Sequence, residues 1–487
     1  MQMTRRQALA WLAGAGPCAA RSGREHALAE AEPRLRAAPP EALRAGWSVF
    51  PLGPGERRGA ALHWREGAAG PSRLRLTVAF DARENLRVIA RTRKTRAELG
   101  FFDIRFAYPF QPFDLALSAR QAELASAEGV ELVMSRGEGP LWVFADAPAE
   151  AREWVAPQLR REAGAGLADF ERALESAGSA QPFGWMEGCV MDGLEQRRAR
   201  LGLEGSGGAL AAHLGMYFDS GQTPRVAPHL ETPARHGTEG LLPFAVLAKH
   251  DAAHPSFAGM LAFCERAAAE RGGILRDGAM TTAEGCYTLA YPLAALGRAR
   301  GERRLRELAV RQLLDRIELL PHGGALYLRA SEDGTRTFRN WARGVAWFAL
   351  GIVRTLEELP AEEIPAKARE AFVWCAGLAL RWQSPQGLWH CFLDDPATGV
   401  ETSGSAGIAA ALACGARWLC EPEKALRAAR AAHAELLRRH LVAGGLLGGV
   451  SQANRDGERL QRGGYRVIGQ FGMGLLAQLD AALRGAG

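Results

Sequence analysis

Apolar and polar positions along the chain follow two rhythms. Between Trp47 and Asp146 they alternate in LRLTVAF from Leu74 and LRVIA from Leu86, while VELVMS from Val130 and PLWVFA from Pro140 are short runs bounded by Gly, Pro or Asp. Alternation with period two marks strands that are half-buried in a sheet. No helix of convincing length separates these runs, so a β-sandwich-like domain is predicted over residues 45–146. From Pro148 onward the period becomes 3.6, and Ala- and Leu-rich amphipathic segments predict a helical domain over residues 147–487.

The helical part repeats itself in form. Six segments open with a Gly-flanked polar or aromatic residue and run on into a small, apolar helix: WMEGCVMDGL from Trp185, GTEGLLPFAVL from Gly237, TAEGCYTLAYPL from Thr282, WARGVAWFALGIV from Trp341, ETSGSAGIAAALA from Glu401 and IGQFGMGLLAQL from Ile468. More charged amphipathic helices lie between them, such as ERRLRELAVRQLLDRI from Glu302. A helix that is apolar on every side is buried, whereas one with a charged stripe faces solvent. Six such alternations predict a mainly α architecture, an (α/α)6 toroid of six helical hairpins behind the smaller β domain. Small residues such as Gly188, Gly285 and Gly404 are expected to let the inner helices crowd at one rim.

Composition narrows the function. A chain of 487 residues exceeds one ordinary core, which suits the two-part reading. The net charge of +6 is spread along the chain, and only the short RTRKTR around Lys94 concentrates it, so no nucleic-acid partner is expected. Eight cysteines show no CxxC and no zinc-like spacing; buried thiols without metal or cofactor are expected. The N-terminal MTRRQALAWLAGAGPCAA has the layout of a signal peptide over residues 1–25, and Arg5-Arg6 predicts twin-arginine export to a periplasmic or extracellular destination. Its apolar stretch is too short to span a bilayer, and no other segment is suited to do so.

If the inner helices begin at one rim, their opening residues face a common funnel: Glu187, Glu239, Glu284, Arg343, Glu401 and Gln470, with Trp185, Tyr287, Trp341 and Trp347 close by. Carboxylates grouped with aromatics suit a carbohydrate site, where rings stack on sugar C–H faces and carboxyl groups deliver protons to a glycosidic oxygen. Taken alone, Glu284 has a plainer reading. Thr281 followed three residues later by Glu284 fits a capping box at a helix start.

Two stretches carry a family resemblance. NWARGVAWFALGIVRTLEELP (Asn340 to Pro360) and QGLWHCFLDDPATGVETSGSAGIAAALACG (Gln386 to Gly415) resemble the unsaturated rhamnogalacturonyl hydrolases of glycoside hydrolase family 105 and the unsaturated glucuronyl hydrolases of family 88. The resemblance covers roughly residues 180–487 and implies a six-hairpin toroid acting on a terminal uronic acid. Glu284 stands where these families place an aspartate, with one extra residue before Pro292, and Glu239 corresponds to the other pocket aspartate. The family's RGNGW becomes Arg343-Gly344-Val345-Ala346-Trp347. A leading β domain is unusual for family 105 and is similar to what the exo-β-glucuronidases of family 154 carry.

The expected function is therefore a glycoside hydrolase that removes a terminal uronic acid, unsaturated or saturated, from an oligosaccharide substrate. Glu284 is the expected acid and Glu239 the second carboxylate. Arg343 suits a uronate carboxylate through its bidentate fork, or a salt bridge within the rim. His390, His236, Tyr287, Glu401 and the tryptophans Trp185, Trp341 and Trp347 are the other candidate sugar contacts. Asp394 and Asp395 precede Pro396 in a turn and are read as structural. A polysaccharide lyase using Tyr287 with a histidine, or a non-catalytic carbohydrate-binding protein, are the alternatives.

Overall fold

The structure, a computed structural model, describes residues 26–40, 43, 46–65, 67, 70–162, 164–218, 237–270 and 273–485. The expected signal segment, residues 1–25, and His236 lie outside the described residues. The N-terminal part is sheet-rich: β1 (His26–Pro33), β2 (Ser48–Leu52), β3 (Ala60–Trp64), β4 (Ser72–Thr77), β5 (Asn85–Thr92), β6 (Glu98–Arg105), β7 (Pro112–Leu117), β8 (Val130–Arg136), β9 (Leu141–Asp146) and β10 (Gln158–Arg161). Their order in the main sheet is β6-β5-β8-β3-β1-β10-β4-β7, antiparallel throughout, with β2 and β9 paired separately.

Strand β1 is the corner of this sheet. Its residues His26 to Leu28 pair with β10, and Ala29 to Pro33 pair with β3. The end strands β6 and β7 come together, since a Cβ on Gly100 would lie 2.8 Å from Leu115 Cδ1. Inward residues such as Leu62, Leu74, Val88, Leu132 and Val143 fill the interior. The sheet thus extends beyond the expected 45–146 limits at both ends. Strand β1, HALAEAEP, and β10, QLRR, are too small-sided or too polar to announce themselves, and only their partners place them in the sheet.

The rest of the chain is mainly helical. Helix Trp185–Leu201 packs on Leu242–His250, which packs on Tyr291–Arg300, and the cycle continues through Ala342–Glu358, Thr402–Cys414 and Gln470–Arg484 back to the first. These helices are buried on nearly every side; in Ala342–Glu358 only Glu357 is not. Helices with one buried stripe lie outside them, such as Arg303–Leu319 and Pro422–Arg439. Glycines permit the close inner contacts. A Cβ on Gly474 would lie 2.1 Å from the Cys189 carbonyl oxygen, and one on Gly404 would lie 2.7 Å from Ala342 Cβ.

Short strands interrupt the helical part at one rim. Strands β11 (Met280–Thr282), β12 (Pro321–His322), β13 (Ala325–Ser331) and β14 (Arg336–Arg339) form a small sheet. Strands β15 (His390–Phe392) and β16 (Asp395–Val400) form a ribbon, as do β17 (Val450–Ser451) and β18 (Arg466–Val467). The β region docks on this rim: Gln452 Nε2 donates to the Arg105 carbonyl (2.9 Å), and Gln470 Nε2 donates to that of Phe110 (2.7 Å). The docking loop is held tightly, with Phe106 and Phe110 in the left-handed backbone region at φ 50° and 67°.

Candidate active site

The capping-box expectation for Glu284 does not hold. Thr281 lies in β11 opposite Ala330 of β13, and the Ala283 N–H donates to the Leu328 carbonyl at 2.8 Å. The chain then enters a π-helical turn, Cys286–Ala290, before the α-helix that starts at Tyr291. A π-turn is an α-helix with one residue inserted. It accounts for the extra residue before Pro292, and Glu284, two residues after the end of β11, opens the helical segment immediately ahead of that π-turn.

The environment of Glu284 suits an acid. The residue is 9% exposed, and its Oε2 is buried without a hydrogen-bond partner. Burial pushes its pKa up, against the opposing charges of Arg329 and Arg343 and the Thr282 side chain. Glu239, in the turn before helix Leu242–His250, is exposed to solvent on one side while protein surrounds it on the others. Loss of hydration raises its pKa to about 7, helped by the negative charges of Glu284 and Asp277 and opposed by Arg329 and Arg455. Two carboxyl groups that both resist ionisation and feel each other are the arrangement that acid–base catalysis requires.

Other expected residues take different roles. Arg343 is 1% exposed and fully engaged: Nη1 donates to the Ser451 carbonyl (2.7 Å) and hydroxyl (3.1 Å), and Nη2 donates to the Gln452 carbonyl (2.9 Å). Its guanidinium also lies 4.5 Å from the Trp341 ring centroid and 5.2 Å from that of Phe471. It therefore braces a loop instead of waiting for a uronate. Glu401 is buried and accepts from the Ser403 N–H (3.0 Å), the Ser403 hydroxyl (2.6 Å), the Gly404 N–H and the Ser451 N–H (2.9 Å). It caps helix Thr402–Cys414 and is not a sugar contact. Glu187 likewise accepts from the Gln181 N–H (2.8 Å) and pairs with buried His213.

Tyr287 lies in the core beneath the rim. Its hydroxyl donates to Asp192 Oδ2 (2.6 Å) and accepts from Gln478 Nε2 (3.0 Å), so it has no free group for proton abstraction in a lyase. Trp347 stacks on Tyr287 with centroids 5.9 Å apart and is buried, as is Trp341. Half-buried Trp185 packs edge-on against Trp347 and Phe471. A binding surface of exposed tryptophans is therefore absent among the described residues at this rim. His390 is half-buried on β15, its backbone paired with Val400. Asp394 pairs with Arg339 and accepts from Asn340 Nδ2 (2.9 Å), and Asp395 pairs with Arg462 (2.9 Å), both structural as expected.

The structure brings in residues that periodicity did not single out. Arg329 lies on β13 directly opposite Thr282, beside Glu284. Alternation in ALYLRAS buries Leu326, Leu328 and Ala330 and puts Arg329 on the other face, so the strand pattern held that signal. Asn454 Nδ2 and the Tyr108 hydroxyl are buried without partners, the latter in the loop by which the β region docks.

Comparisons with known proteins bear on this geometry. The family model described as Glycosyl Hydrolase Family 88 matches residues 287–479. Protein Atu3128 of Agrobacterium fabrum is 34% identical over 163 residues, covering 30% of this chain and 70% of that protein. The chain belongs to glycosyl hydrolase family 88. A possible GH105 family member from Klebsiella pneumoniae has the same fold, with TM-score 0.54 at 20% identity over 64% of this chain and 84% of that one. Another from Salmonella enterica serovar Paratyphi A gives 0.53 at 21% identity, over 64% and 85%. This family 88 enzyme is thus a glycoside hydrolase; both candidate carboxyl groups lie N-terminal to the segment matched by the family model, Glu284 immediately before it and Glu239 well upstream.

Proposed function

We propose that this enzyme removes a non-reducing terminal uronic acid from an oligosaccharide, with Glu284 as the proton donor and Glu239 as the second carboxyl group. The observation that carries the reading is the buried Glu284 Oε2, which has no partner and belongs to a group whose pKa is raised. A neutral carboxyl group in that state presents its proton to an incoming oxygen or carbon. Glu239, whose pKa is raised to about 7, can exchange a proton near neutral pH and so serve as the base that orients water. On a 4,5-unsaturated uronide the donated proton goes to the vinyl-ether carbon and water adds. On a saturated one it goes to the glycosidic oxygen as the bond to the leaving sugar breaks.

The closed cycle of inner helices, each with outer helices beside it, supports reading the toroid as six helical hairpins with the site at one rim. The Arg5-Arg6 pair before a short apolar run supports export of the enzyme, which N-terminal sequencing of the secreted protein tests. The test of function is hydrolysis of two matched disaccharides, one ending in saturated β-glucuronic acid and one in its 4,5-unsaturated counterpart, by wild type and Glu284→Gln. Turnover of at least one by wild type and of neither by the variant is expected. Equal turnover by both proteins removes Glu284 from the chemistry, and no turnover of either sugar by wild type refutes the uronide reading.

A further inference from the structure

Two carboxyl groups with raised pKa and one guanidinium without a carboxylate partner meet at this rim. Arg329 is that guanidinium. No acidic oxygen among the described residues lies within salt-bridge distance of it, and its Nε is buried with no hydrogen-bond partner. Its position is fixed from both sides: β13 pairs Arg329 with Thr282 of β11 and with Thr337 of β14, while the Phe338 ring centroid lies 5.2 Å from the guanidinium carbon. The residue as a whole is half-buried. Its charge opposes the raised pKa of both Glu239 and Glu284, so it lies near the two groups proposed to handle protons.

We propose that Arg329, and not Arg343, receives the acidic group of the substrate; this rests on the uronide reading above. A planar fork braced on an aromatic ring binds a carboxylate bidentately and loses little freedom in doing so. If Arg329 served only to neutralise the site, a direct pair with Glu284 or Glu239 would be the economical arrangement. Instead, both carboxyl groups are held toward neutrality and the guanidinium is left unpaired. An anion arriving with the substrate completes that charge balance and gives the buried Nε its acceptor.

The experiment uses the full chain carrying Glu284→Gln, which binds without turning over. Calorimetry measures its affinity for a glucuronic-acid-terminated disaccharide and for the matched glucose-terminated one. Arg329→Gln added to this parent is expected to weaken binding of the acidic sugar about 10- to 100-fold, the range of one charged hydrogen-bond pair, and to leave the neutral sugar unchanged. Arg329→Lys, which keeps the charge but not the fork, is expected to fall between. A preference for the acidic sugar that survives Arg329→Gln overturns the assignment to Arg329 alone. Equal weakening of both sugars in both variants marks a structural role and overturns it as well. A parent that shows no preference for the acidic sugar overturns the uronide reading itself, and this inference with it.

Discussion

Replacing Arg343 with methionine distinguishes the role its sequence position suggests from the role its contacts show. The guanidinium holds the Ser451 carbonyl, the Ser451 hydroxyl and the Gln452 carbonyl, and shares Ser451 with the buried carboxylate of Glu401. Methionine fills much of the volume between Trp341 and Phe471 but donates nothing. The Ser451 carbonyl then loses the guanidinium as its donor at about 1–3 kcal/mol, whereas the Gln452 carbonyl keeps Gln461 Nε2 at 2.8 Å, and the buried Glu401 carboxylate loses its nearby positive charge. Part of that is returned, because a charge whose pKa burial has lowered no longer has to be kept from water. The net expectation is a loss of about 3 kcal/mol, near the lower end of what removing one member of a buried charged network costs. That loss corresponds to a fall of roughly 3–5 °C in melting temperature for a helical domain of this size, at about 2.1 cal/mol/K of unfolding entropy per residue. Calorimetric melting, read beside KM for the uronide, is the assay. A melting temperature within about 1 °C of wild type, with KM raised tenfold or more, would show that Arg343 faces substrate and that the bracing argument is wrong.

Three further outcomes follow from the same contacts. Glu284→Gln is expected to lower kcat by about 10²- to 10⁴-fold, the usual share of a positioned acid, with melting at neutral pH unchanged or raised because a group reluctant to ionise has been removed. The pH profile of kcat/KM should break at about 7 through Glu239. Its folded pKa lies above the unfolded value of 4.5, so between about 4.5 and 7 the unfolded chain binds fewer protons and stability falls as pH rises; Glu239→Gln should flatten the melting temperature across that window, and an unchanged slope counts against the shift. Gly474→Ala places a methyl 2.1 Å from the Cys189 carbonyl oxygen, between two inner helices, and should cost about 1–3 kcal/mol or prevent folding; wild-type urea denaturation would contradict the packing described.

What the sequence revealed and what it concealed divide along a physical line. Helix Ala342–Glu358 is legible because fifteen or more residues without a charged stripe have nowhere to go but a core. The sheet-rich N-terminal part is legible because β4 and β5 alternate in sequence and β8 is a short apolar run behind a glycine. Strand β11 is not, because three residues, MTT, carry no period, and their conformation is decided by β13 about fifty positions later. Arg343 was misassigned for a similar reason. An arginine among tryptophans at a helix start looks the same whether its partner is a ligand or a backbone loop 108 residues away. Arg329 escaped notice because its neighbourhood to Glu284 exists only through strand register.

The contrast between Glu401 and Glu284 shows how one repeated position yields both a structural and a chemical carboxyl group. Each opens an inner helix of the same toroid. Glu401 precedes an uninterrupted α-helix, so the first turn's N–H groups point at it, and with the Ser403 hydroxyl and Ser451 N–H they occupy both its oxygens. Ahead of Tyr291, the extra residue is absorbed as a π-turn, and β11 holds the preceding backbone in the small sheet. Glu284 is met only by the Thr282 side chain and its own backbone N–H, and its Oε2 stays buried with no hydrogen-bond partner. A buried carboxyl group with one oxygen lacking a donor resists ionisation more than one whose two oxygens are both capped, and the inserted residue is a local difference between the two helix starts.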